Sequence, residues 1–153
     1  MKRVLGIDHG QARVGLAMSD QLGMLAHPLR TLAATPKKRL MAELGALIKE
    51  HQIDTIVLGI PRNMDGSFGS SAKLAQEFCE ELAKRTKCKI IEWDERLTTI
   101  AAHRALQESG RKTKNTKDIV DQVAAQMILQ GWLDSQQNGL LGPETDENPH
   151  AEY

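Results

Sequence analysis

The chain is poor in cysteine. Cys79 and Cys88 are the only two among 153 residues, and they form no CxxC pair. Cys79 falls on the apolar face of a predicted helix and Cys88 opens a predicted strand. Both read as buried or idle thiols, which suits a reducing compartment. Long apolar runs are missing too. No stretch approaches 18 apolar residues, and the N-terminus is a predicted strand without an apolar signal core. The expectation is a soluble cytoplasmic protein with no membrane partner. Net charge is also absent, with 20 basic and 20 acidic residues. The balance is uneven along the chain. Residues 139–153 carry Glu144, Asp146, Glu147 and Glu152 and no Lys or Arg, leaving 20 basic and 16 acidic residues on 1–138. That body is compatible with a polyanionic partner, although charge alone is a weak signal.

A chain of this length fits one domain and buries roughly 70% of its unfolded surface without staples. The expected organisation is a single domain over 1–138 and an acidic, disordered tail over 139–153, where two prolines and few apolar residues occur. Strands alternate with helices, so the class is α/β.

The stretch Val4-Leu5-Gly6-Ile7-Asp8-His9-Gly10-Gln11-Ala12-Arg13-Val14-Gly15-Leu16-Ala17 organises the rest. Two apolar, β-rich runs flank a polar turn, which predicts a hairpin. The first run ends in Asp8, a carboxylate that surface solvation explains poorly because the run itself should be buried. Gly6, Gly10 and Gly15 lack a Cβ, so a backbone or a phosphate can approach. A third strand is predicted over about Leu25 to Leu32, completing an antiparallel meander.

Thr35-Pro36 reads as a helix N-cap followed by proline at the first helical position. Leu40, Leu44, Leu47 and Ile48 recur at helical spacing through about Glu50. Gly45 inside this helix is expected to pack closely on the sheet. Residues 55–60 form an apolar run that predicts a strand buried on both faces. A glycine-bearing loop, 62–69, follows where ligands bind in parallel sheets. Ser70 or Ser71 is expected to cap a second helix with Leu74, Ala75, Phe78, Cys79 and Leu82 on one stripe. Ile90 to Glu95 is the fifth strand, followed by a short helix near 98–107. Residues 109–117 form a basic loop, and a long helix spans Asp118 to about Ser135.

The acids fall in a pattern. Strand side chains alternate, so Ile91, Trp93 and Glu95 share a face while Glu92 and Asp94 share the other with Ile90. Asp118 and Asp121 lie on one side of the last helix. Ala124 and Ala125 let that helix press on the sheet and bring Asp121 to the strand ends. Clustered carboxylates repel unless a cation joins them, and hard oxygen ligands suit Mg²⁺ or Mn²⁺. Two such ions can activate water and steady a leaving oxygen in phosphodiester hydrolysis. Each acid alone also reads as a cap or turn residue, Asp118 as a first-turn acid. Arg13, Arg62 and Arg96 read equally as phosphate clamps or ion-pair partners. Lys112, Lys114 and Lys117 read as phosphate contacts or as a solvated loop. His9 reads as a neighbour of Asp8 rather than as its base.

Taken together, Ile7-Asp8-x-Gly10-x-x-Arg13-x-Gly15-x-Ala17, Gly59-Ile60-Pro61 with Met64-Asp65-Gly66, Asp94-Glu95-Arg96-Leu97-Thr98-Thr99 and Asp121-x-x-Ala124-Ala125-x-x-Ile128-Leu129 resemble the YqgF/RuvX family. The motifs come in the family's order and span nearly all of 3–133. The resemblance implies an RNase H-like fold related to the Holliday junction resolvase RuvC: a five-stranded mixed sheet, antiparallel meander plus parallel strands, flanked by helices. It implies a divalent-metal nuclease that processes the 5′ end of precursor 16S ribosomal RNA in the bacterial cytoplasm. Its partners would be nucleic acid, RNA before structured DNA, and ribosomal precursor particles. The metal-binding and catalytic acids would be Asp8, Glu95 and Asp121. Asp118 matches a fourth acid of the resolvase relatives. Ile60 stands where many members carry leucine.

Two rivals stand beside this resemblance. The Gly6-Ile7-Asp8-x-Gly10 turn also resembles the first phosphate loop of the actin and sugar-kinase ATPases, which need two lobes. An inactive RNA-binding factor is the other. A DNA junction resolvase is an alternative within the nuclease class.

Overall fold

A computed structural model describes residues 3–97 and 114–141, and the side chains of the last helix over 119–137. The predicted helix near 98–107, Lys112 and the tail beyond 141 lie outside the described residues, as do the side chains of Lys114, Lys117 and Asp118.

Five strands form one sheet: β1 (Arg3–His9), β2 (Arg13–Ser19), β3 (Ala26–Ala33), β4 (Ile53–Ile60) and β5 (Lys89–Asp94). Their order is β3-β2-β1-β4-β5. β1 pairs antiparallel with β2 and β2 with β3. β4 runs parallel to both β1 and β5. The meander and the parallel pair thus meet at β1, which is central. Helices α1 (Lys37–Glu50), α2 (Ser70–Ala83) and α3 (Lys114–Leu141) cover the faces.

Side-chain alternation divides the core in two. Leu5, Ile7, Leu16, Ile56, Leu58 and Ile60 face α1 and α2, meeting Leu40, Leu44, Phe78 and Leu82. Ala17, Val57, Ile91 and Trp93 face α3, meeting Ala124, Ala125, Ile128 and Leu129. Burying each large aliphatic side chain contributes about 1.5–3 kcal/mol. Three glutamines one helical turn apart tie α3 to the edge strand. Gln122 donates to Thr31 Oγ1 at 3.2 Å, and Gln126 donates to the Ala26 carbonyl at 2.9 Å. Gln130 accepts from the Ala26 amide at 2.9 Å.

Several local expectations need correction. Pro36, not Thr35, is the N-cap of α1, with extended backbone and no side chain capping the helix. Gly69, not a serine, precedes α2. Gly45 is exposed, and a Cβ there would meet nothing within 4 Å, so it does not pack on the sheet. Leu74 lies off the buried stripe of α2 and is 37% exposed. β4 begins two residues earlier than expected, and β5 ends at Asp94, with Glu95–Leu97 forming one 3₁₀ turn. Lys114–Lys117 belongs to α3 rather than to a loop, and the helix runs on to Leu141. Polar Lys and Gln are good helix formers, and Pro143 is the first proline past the helix.

Candidate active site

The site is built at the carboxyl ends of β1, β4 and β5, on the face that α3 covers. Asp8 is the last residue but one of β1 and is 7% exposed. It stands opposite Gly15 of β2. Ile7 pairs with Leu58, so one further step along the register sets Asp8 beside Gly59 of β4. Both glycines are required by what lies over them. A Cβ on Gly15 would collide with the Asp121 carbonyl and lie 3.0 Å from Asp121 Cβ. A Cβ on Gly59 would lie 2.6 Å from Glu95 Oε2 and collide with Ile128 Cδ1. Gly6, further back on β1, gives the same clearance to Leu129. The missing side chains therefore seat Asp121 on one side of Asp8 and Glu95 on the other.

Glu95 is 8% exposed although it has left the strand. Its position keeps the parity of Ile91 and Trp93, and the carboxylate folds back over Gly59. Asp121 is held from β2, because Arg13 Nε donates to its Oδ2 at 2.6 Å. Ala124 and Ala125, both fully buried, let α3 lie close enough for this. Among the described residues, no three carboxylate, imidazole or thiol groups close around one point.

The arginines are engaged by acids or loop carbonyls. Arg96 grips Asp94 through Nε (3.1 Å to Oδ1, 3.0 Å to Oδ2) and through a terminal nitrogen at 2.8 Å. It also donates to the Met64 carbonyl at 3.3 Å. Arg62 lies 3.5 Å from Asp94, donates to the Gly66 carbonyl at 3.0 Å and covers the Phe68 ring at 4.4 Å. Asp94 is thus a hub rather than a solvated acid, and Arg96 holds its carboxyl below the usual carboxylate range. The loop 61–69 is braced internally as well. Asp65 accepts from the Ser67 amide at 2.9 Å and hydroxyl at 2.6 Å, and Gly66 takes a positive φ of 89°. Sequence alone left Asp94 unassigned; the signal was Arg96 two residues on in the same motif.

His9 points to the opposite face. Its ring stacks on Phe78 with centroids 4.5 Å apart. Burial, and then the charge of Lys37, push its pKa down. A neutral imidazole directed away from Asp8 is no base for that site.

The class follows from the fold. RuvC from Thermus thermophilus, solved with a Holliday junction substrate, superposes with a TM-score of 0.54 at 13% identity, covering 90% of this chain and 96% of that one. The yeast mitochondrial Holliday junction resolvase gives 0.51 at 13% identity, covering 89% of this chain and 79% of that one. The architecture is the RNase H-like fold of these resolvases. Within it, a family model described as RuvX, Holliday junction resolvase, matches residues 2–135. A relative from Halalkalibacterium halodurans is 44% identical over 137 residues, 88% of this chain and 98% of its own. One from Myxococcus xanthus is 41% identical over 147 residues, 96% of this chain and 95% of its own. Both carry the name "Putative pre-16S rRNA nuclease". The chain belongs to the RuvX (YqgF) family.

Proposed function

We propose that this protein is a divalent-metal-dependent nuclease that hydrolyses phosphodiester bonds, with the 5′ end of precursor 16S ribosomal RNA as its substrate in the cytoplasm. The observation that carries the reading is the seating of Asp121 and Glu95 over Gly15 and Gly59, on either side of Asp8. Family membership and the names of the relatives support the same reaction class. The donors are hard carboxylate oxygens, a type that suits Mg²⁺ or Mn²⁺, although the described acids do not close around one point. Asp8, Glu95 and Asp121 would hold the ion, with Asp118 as a fourth candidate. When bound, it would supply an activated water and charge stabilisation at the leaving oxygen. The chain's own residues do the rest. Arg13 orients Asp121 from β2. Asp94 keeps Arg62 and Arg96 at the rim, where they can turn to substrate phosphates. Lys112, Lys114 and Lys117 add phosphate contacts just before Asp121 in the chain. The actin-like rival needs a second lobe, and the described residues build a single sheet.

The test is cleavage of precursor ribosomal RNA, a four-way DNA junction and single strands in parallel, with Mg²⁺, Mn²⁺ or EDTA. Asp8→Asn, Glu95→Gln and Asp121→Asn should each abolish turnover and keep the fold. Mn²⁺ should raise the melting temperature of the wild type, because it binds the folded state, and raise that of Asp8→Asn much less. Unchanged turnover by Asp8→Asn removes the reading, and preference for the junction moves the substrate to DNA. If the three lysines grip phosphates, each adds about 0.7–0.9 to the steepness of log affinity against log salt. Lys112→Ala with Lys114→Ala should flatten that slope.

A further inference from the structure

A cavity of about 250 Å³ lies on the other side of the sheet from the acids. It opens where the β1–β2 turn, the start of α1 and the outer side of α2 meet, lined by His9, Gln11, Lys37, Leu74, Glu77 and Phe78 among others. Its wall is the His9 ring, backed by the buried Phe78 on which it stacks, with Leu74 contributing an aliphatic side chain that is 37% exposed. Gln11 and Glu77 offer an amide and a carboxylate beside that wall. Lys37 supplies a cation at the rim. Its side chain is 66% exposed, and its ion pair with Glu81 is long, at 4.0 Å. Lys38 and Arg39 follow it at once, with no acid in the first turn of α1.

An aromatic wall, hydrogen-bonding groups at its edge and a cation at the mouth are what an unstacked base and its phosphate require. At about 250 Å³ the cavity is smaller than the usual ligand pocket, so it takes a base while the phosphate stays at the open rim. The position says where that nucleotide comes from. His9 follows Asp8 directly, and successive strand side chains leave on opposite faces. The acids and the cavity therefore share the end of β1, one on each side of the sheet. A strand lying across that edge with a linkage at Asp8 carries its next nucleotide past the β1–β2 turn.

We propose that this cavity receives one unpaired nucleotide of the substrate strand, adjacent to the linkage that is cut, with the base against His9 and Leu74 and a phosphate at Lys37. The inference rests on the nuclease reading and deepens it: the enzyme selects single-stranded segments, because a base held in a duplex cannot enter. The same chemistry would take a free mononucleotide, so the experiment separates the two sources.

Binding is measured on the full chain in EDTA, which uncouples it from cleavage. The probes are a dye-labelled single-stranded RNA octamer, the blunt duplex of the same sequence, and the nucleoside monophosphates AMP and UMP. Leu74→Trp narrows the mouth and Lys37→Glu reverses the rim charge. Both alter exposed side chains, and their melting temperatures check the fold. Each should weaken octamer binding at least tenfold and duplex binding much less. NMR signals of His9 and Phe78 should move when the octamer is added to the wild type. Wild-type affinity in both variants, equal weakening for the duplex, or silent His9 and Phe78 signals would each overturn the proposal. Micromolar binding of AMP or UMP that the octamer does not displace would assign the cavity to a free nucleotide and overturn the strand assignment. The two readings fail separately. Absence of cleavage with octamer binding intact removes the nuclease, whereas normal cleavage kinetics in both variants removes the cavity's role.

Discussion

Arg13 of β2 and Asp121 of α3 meet at 2.6 Å across 108 positions of the chain. The contact joins the hairpin that carries Asp8 to the helix that covers it, and it orients a carboxylate of the candidate site. Asp121 is 18% exposed and Arg13 37%, so water screens the pair in part. A double-mutant cycle of Arg13→Ala and Asp121→Asn should give a coupling of about 0.5–1 kcal/mol in denaturant unfolding. In 1 M salt the coupling should shrink, as screening predicts. A coupling indistinguishable from zero at low salt would mean that Arg13 does not hold Asp121 in solution.

The glycines make opposite predictions according to what stands over them. Gly15→Ala and Gly59→Ala drive a methyl into α3 or into Glu95. Overpacking of this kind costs about 1–3 kcal/mol, and for a chain of this size each kcal/mol lowers the melting temperature by roughly 2–4 °C. Cleavage should fall further than stability does, since the displaced atoms belong to Asp121 and Glu95. Gly45→Ala meets open space in mid-helix and should stabilise by up to about 1 kcal/mol. Thermal unfolding of the three proteins side by side decides the matter; a destabilised Gly45→Ala would contradict the exposed position.

That contrast also marks what a sequence can carry. The placement of Asp8, Glu95 and Asp121 on the α3 side of the sheet was legible because strand parity and the alanines at 124 and 125 state which face each occupies. Gly45 was misread because a helical glycine looks the same on either face. Leu74 was placed in the core because an apolar residue one step off the stripe fits the periodicity. The Gln122, Gln126 and Gln130 clamp went unseen, since its partners are backbone and hydroxyl groups of a distant edge strand. The hub at Asp94 escaped in half for the same reason. Arg62 reaches it from the loop after β4 through tertiary packing, whereas Arg96 is a local partner two residues on.

Asp94 offers a third prediction. It anchors Arg96 and Arg62, and those in turn hold the Met64 and Gly66 carbonyls. Asp94→Ala should release the loop 61–69 while leaving the sheet intact. Hydrogen exchange over 61–69 should quicken at least tenfold, with β1 and β4 unchanged. If exchange there stays at the wild-type rate, the turn within Asp65–Ser67 suffices to hold the loop, and the arginines are available to other partners.

Cys79 supplies the pH dependence. It lies on α2, buried, and that burial pushes its thiol up to about 12 from an ordinary 9.0, with the charge of Glu92 adding to the effect. The thiolate is the reactive form, so its fraction at pH 8 should be about a thousandfold lower in the folded protein than in the unfolded one. In a Cys88→Ser background, alkylation by iodoacetamide should be correspondingly slow and should speed up in denaturant. The sign of the stability effect follows from proton binding. Between about pH 9 and 12 the folded thiol keeps a proton that the unfolded chain has released. The stabilisation is therefore fully present below pH 9 and is lost as pH rises through that window. Cys79→Ala should lower stability at neutral pH through the lost packing, yet show a flatter decline above pH 9. Rapid native alkylation at pH 8, or an alkaline decline identical in both proteins, would show that the Cys79 thiol is open to solvent.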